Sequence, residues 1–115
     1  MNNTPHDFGR HGEVILKKVS FLPEGAKLVE SGTSIIVGHS ESGHDHVLTI
    51  PAGQGTMEMY EMDGKTYLRF PVQAELVHQK EVEKHDTQVF LPGIYERTIR
   101  HAYSYAEKQM QRILD

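Results

Sequence analysis

The sequence predicts a mainly β protein, a compact antiparallel β barrel or sandwich with a C-terminal helix. Three observations lead there. Short alternating or β-branched runs recur along the chain, separated by turn signals such as Pro-Glu-Gly, Ser-Gly, Asp-Gly and Pro-Gly. One of these turns, Asp63-Gly64, sits between two alternating runs in MEMYEMDGKTYLRF, residues 57–70. Finally, Tyr95, Ile99, Tyr103, Ala106, Met110 and Ile113 recur at helical spacing.

Taken in order, residues 1–12 (MNNTPHDFGRHG) are polar and read as a flexible N-terminal arm, leaving 13–115 as a single β-rich domain. EVILKKV (13–19) is a first strand with Val14 and Leu16 on one face, and SFLPEGAKLVESGTS reads as a connection. Ser34–Val37 and His46–Ile50 are two short strands, the second ended by Pro51. Asp-Gly favours a two-residue type I′ hairpin, because both central residues need positive φ. That register sets Met62 opposite Lys65, Tyr60 opposite Tyr67 and Glu58 opposite Arg69. Each good cross-strand pair stabilises by roughly 0.2–1 kcal/mol. Met57, Met59, Leu68 and Phe70 then form the core face. Residues 74–78 and 87–91 are further strands, Pro92-Gly93 is a turn, and the C-terminus reads as a strand near 94–101 and a helix over 104–114.

Composition narrows the function. With 115 residues and no Cys, the chain suits one core and holds no disulfide, thiolate metal site, iron–sulfur cluster or cysteine nucleophile. Net charge is −4 with Lys and Arg scattered, which argues against nucleic-acid binding. No apolar run suits a signal peptide or approaches the roughly 20 residues that span a bilayer, so no membrane role is expected and the expected location is the cytoplasm or a virion. Eight His mean that acid below about pH 6 would turn the protein basic.

The most informative stretch is GHSESGHDH, residues 38–46. If 33–37 and 46–50 are hairpin arms, His39 faces His44, Val37 faces His46 and Ile35 faces Leu48. Residues 35, 37, 39, 44, 46, 48 and 50 then share a face, gathering three imidazoles at one end of an apolar stripe. A borderline divalent ion, zinc above all, takes neutral imidazole nitrogens at about 2.0–2.1 Å. His39, His44 and His46 are therefore candidate ligands, with His85 or His78 as a fourth and Asp45 as an orienting partner. A polar loop that binds nothing, and metal-free acid–base chemistry, stay open beside this. A register shift of one residue would send His46 to the other face. His6, Asp7 and His11 read as part of the solvated arm, and His101 as packed against tyrosines. GQG (53–55) lacks a phosphate loop's Lys, and no G-x-S-x-G elbow supports a serine nucleophile.

RHGEVILKKVSFLPEGAKLV (10–29), the GH…HDHVLTI segment (38–50) and LPGIYERTIRHAYSY (91–105) together resemble a group of small bacterial and bacteriophage proteins. Members begin with Arg-His/Gln-Gly-Asp-Val, continue with Gly-His-x-His and end near a Leu-Pro-Pro-Gly-x-Tyr turn. The group is largely uncharacterised, so the resemblance implies no activity. It implies that His46, with His39 or His44, occupies the group's histidine positions, and that His78 and His85 match histidines before the Pro-Gly turn. SESG stretches the histidine segment, leaving the true counterpart open, and Glu13 stands where the group has Asp. His44-Asp45-His46 also matches the His-x-His opening of a cupin motif, but that motif's later Glu and Gly are missing at the expected spacing.

The leading expectation is a small non-enzymatic β domain with a histidine-rich hairpin holding a divalent metal, in a phage-derived assembly or capsid-surface role. The alternative is a metal-dependent enzyme with an open His-lined site. An open sheet edge and the stripe Tyr103, Ala106, Met110 and Ile113 lead us to expect a homo-oligomer or a protein partner.

Overall fold

The computed structural model describes residues 5–11, 14–39, 45–78 and 87–99. Ten strands are present: β1 (Phe8–His11), β2 (Val14–Val19), β3 (Lys27–Gly32), β4 (Ser34–His39), β5 (Asp45–Thr49), β6 (Met57–Met62), β7 (Lys65–Phe70), β8 (Ala74–His78), β9 (Gln88–Phe90) and β10 (Gly93–Ile99). They form a six-stranded sheet ordered β1-β2-β10-β7-β6-β3 and a four-stranded sheet ordered β4-β5-β8-β9, with every strand pairing antiparallel.

The mainly β character therefore stands, but the barrel does not, and the expected C-terminal helix finds no support among the described residues. Among the described residues the strands lie in two separate sheets with no closure, and no helix occurs. Residues 104–114, where the helix was expected, lie outside the described residues. The strand expected near 94–101 is present as β10, which takes two residues of the helical stripe, Tyr95 and Ile99. A spacing of four is also a multiple of two, so these residues share one face of a strand as well as one face of a helix. Part of the stretch assigned to an N-terminal arm is in the sheet: Phe8–His11 pairs with β2 in register with Val14–Lys17.

The core lies between the two sheets. It joins Val14, Leu16, Met57, Met59, Leu68, Phe70 and Tyr95 of the larger sheet to Ile35, Val37, Leu48, Ala74, Leu76 and Phe90 of the smaller. Period-two alternation produces this partition. In the β6–β7 hairpin, Glu58 opposes Arg69, Tyr60 opposes Tyr67 and Met62 opposes Lys65. Asp63 (φ 52°) and Gly64 (φ 79°) both take the positive φ that the tight turn demands. On the outer face Arg69 Nε donates to Glu58 Oε1 at 2.8 Å and its guanidinium lies 5.2 Å from the Tyr60 ring centre. Hydrogen bonding from Arg69 holds the Glu58 carboxyl below its usual range. This pair is solvent-screened and contributes at most about 1 kcal/mol.

Tyr95 is the largest fully buried side chain. Its ring stacks on Phe70 (5.1 Å between centres) and meets Phe90 edge-on (5.5 Å). Its hydroxyl donates to Leu91 O at 2.7 Å, with His6 O at 3.1 Å as a second acceptor. This resembles the tyrosine corner of β-sandwich domains, where a buried hydroxyl satisfies a turn carbonyl. His6 in turn binds the smaller sheet: His6 N–H donates to Val89 O and Leu91 N–H donates to His6 O, each at 2.8 Å. One hydroxyl thus ties the N-terminal segment, the β9–β10 turn and the core together.

Burial, and then the charge of Asp7, push the Tyr95 hydroxyl up to about 12. Its ordinary value is about 10, so the folded state holds this proton more tightly than the unfolded chain does. The resulting stability is complete below about pH 10 and is lost as pH rises toward 12. Tyr95→Phe should cost about 1–3 kcal/mol at neutral pH by leaving the Leu91 carbonyl without its donor. Urea unfolding at pH 7 and pH 11 should show a larger alkaline loss in the parent than in the variant.

Candidate functional site

The histidine segment lies at one end of the smaller sheet, where β4 pairs with β5. Its register begins as the sequence predicts, with Ile35 opposite Leu48. It then shifts. Ile36 opposes Val47 but Gly38 opposes His46 and His39 opposes Asp45, so Val37 is an extra residue in a β-bulge. The expected facing of Val37 with His46 and of His39 with His44 is thereby corrected, as is the sharing of one face by all these side chains. Beyond the bulge the alternation on β4 is inverted. Val37 and Gly38 are both buried while His39 turns outward.

Gly38 shows why the bulge lies there. An added Cβ at this position would stand 2.5 Å from Val14 Cγ2 and 3.4 Å from Ile99 Cδ1. The two sheets therefore approach each other across a position that has no room for a side chain. His46, opposite Gly38, keeps the core-facing parity of Leu48 and is only 2% exposed.

His39 is the reverse case. Its side chain is 78% exposed, and its Nδ1 lies 2.8 Å from Asp45 Oδ1. An ionised carboxylate only accepts hydrogen bonds, so Nδ1 is the donor, and in the neutral ring Nε2 then presents its lone pair. A carboxylate behind an imidazole is the arrangement that orients metal-binding histidines. On β5 and β8, His46 is the register partner of His78. The structure thus brings the His46 and His78 backbones side by side and sets His39 beside Asp45, with His39 and His46 on opposite faces. His44 and His85 lie outside the described residues. Among the described residues no group of three or more His, Asp or Glu side chains converges as a metal site.

Sequence reasoning missed Arg97. From β10 it reaches across the core: Nη1 donates to Val37 O at 2.9 Å and Nη2 to Thr66 Oγ1 at 3.1 Å. The bulge carbonyl is thereby held by the opposite sheet. Burial lowers the Arg97 pKa from its ordinary value, and the charge of Glu61 opposes that shift. Its buried Nε has no acceptor among the described residues. The only sequence signal was an Arg at a core-parity position of a strand, two residues from Tyr95 and two from Ile99.

The chain matches a family model described as Domain of unknown function (DUF8820) over residues 10–100. It belongs to that family. No curated protein and no solved structure matches it.

Variants at two positions, Gly38 and Arg97, test the bulge. Gly38→Ala should destabilise by about 1–3 kcal/mol through overpacking, and Val14→Ala in the same chain should recover part of that loss. Arg97→Met should cost about 1–3 kcal/mol by removing the donor to Val37 O, with Arg97→Lys a poor substitute because one ammonium lacks the planar fork. Thermal and urea unfolding read both.

Proposed function

We propose that this member of a family without an assigned activity is a small, non-enzymatic β domain whose histidine tip holds a divalent metal, zinc first. The observation that carries the reading is the His39–Asp45 pair, in which the carboxylate sets the imidazole tautomer and leaves Nε2 as a ligand toward solvent. A tip ligand on an outer sheet face suits a metal held for structure or for joining surfaces. Catalytic metals sit in recessed pockets that exclude water and seat a substrate. His44, next to Asp45 in the sequence, is a natural companion ligand. His46, beside Asp45 but buried on the opposite face from His39, and its register partner His78 are left out of this ligand set. A role in assembly, as in a cytoplasmic complex or a phage particle, fits this kind of site.

Titration calorimetry with Zn²⁺ or Ni²⁺ tests the proposal. The parent should bind stoichiometrically, His39→Ala should abolish or strongly weaken binding, and Asp45→Asn should weaken it by about 10–100-fold while leaving the fold intact. A parent that binds neither ion, or an Asp45→Asn variant with parental affinity, would overturn it.

A further inference from the structure

The end strand β3 of the six-stranded sheet pairs, among the described residues, with β6 alone. Every residue from Lys27 to Ser31 is exposed, and the apolar pair Leu28 and Val29 is 53% and 48% exposed. An unpaired strand that displays apolar side chains is a template for another strand.

The register against β6 identifies which strand fits. Lys27 opposes Glu61 and Leu28 opposes Tyr60, but Glu30 opposes Met59, so Val29 is an extra, bulged residue. The bulge changes the facing of the side chains. Met59 and Glu61 lie two apart on β6 and share a face, so Lys27 and Glu30 share that face as well. Leu28 falls on the face of Tyr60. In an unbulged strand, residues three apart would point to opposite faces.

That arrangement is complementary to itself. When two copies of one strand pair antiparallel, a two-fold axis stands perpendicular to the sheet, and residues opposite each other must share a face. With the axis between Leu28 and Val29, each Lys27 stands opposite Glu30 of the second copy. Opposite charges so placed stabilise adjacent strands. Only the bulge permits this, because it alone places Lys27 and Glu30 on one side.

We propose that β3 is a homodimer edge, pairing antiparallel with β3 of a second copy in this register and joining two six-stranded sheets edge to edge. The surface lies in the larger sheet and does not depend on the histidine tip of the smaller one, so the two proposals succeed or fail separately.

Sedimentation velocity of the full chain in metal-free buffer, across a range of concentrations, tests it. The parent should dimerise. Lys27→Glu sets Glu against Glu30, and Glu30→Lys sets Lys against Lys27. Each should weaken the dimer by about tenfold or more, since two symmetric contacts turn from attractive to repulsive. The combined Lys27→Glu/Glu30→Lys chain restores opposite charges and should dimerise as the parent does, which also shows that both positions tolerate exchange. A monomeric parent, a dimer that neither single variant weakens, or a double variant as weak as the singles would overturn the proposal.

Discussion

The two sheets meet at a position that admits no side chain, and much of the molecule is arranged around that contact. Gly38 packs against Val14 and Ile99 at a distance where a Cβ would collide with Val14. β4 reaches this position by inserting Val37 as an additional residue, so that two buried residues, Val37 and Gly38, follow one another. A bulge interrupts the ladder, and a buried carbonyl at such a point needs a donor. Arg97 supplies it from the opposite sheet. The close approach, the bulge and the cross-sheet arginine thus form one unit. Removing any member leaves a steric gap or a carbonyl short of its donor.

The same inserted residue decides the chemistry of the histidine tip. Without it, His39 and His46 would project from one face, within reach of one ion. With it, His46 keeps its place in the interior while His39 turns out beside Asp45. A buried imidazole and an exposed, carboxylate-oriented imidazole differ in solvation and in access to ions. Only the second is positioned to take a ligand directly from solution. At the other end of the molecule Tyr95 gives a comparable link, joining the N-terminal segment to the smaller sheet through backbone carbonyls that its hydroxyl spans.

A second bulge, at Val29, has an equivalent effect on the exposed edge. Bulges on edge strands commonly disrupt pairing with foreign strands. Here the displaced parity brings Lys27 and Glu30 to one side, so the irregularity discourages arbitrary partners while matching a copy of itself. The two irregularities act alike. Each adds one residue to a strand, and each reassigns the side chains beyond it.

Local chemistry by itself determined much of the β structure. The Asp63-Gly64 turn, its flanking register and the core face of Met57, Met59, Leu68 and Phe70 follow from φ preferences and period-two alternation, which neighbouring residues carry. Val14 and Leu16 as a buried pair, and residues 74–78 as a strand, were legible for the same reason. The exposed β3 was read as a connection because KLVESG shows no alternation, and a strand with no buried face has no periodic signal to give. Only the tertiary structure decided the bulges at Val37 and Val29, the separation of the strands into two open sheets, and the placement of Arg97. Each depends on contacts between residues far apart in the chain, such as Gly38 with Val14 and Arg97 with Val37. A single inserted residue leaves the composition and spacing of GHSESGHDH unchanged while reversing where His39 points, because face is a property of pairing and not of the strand alone.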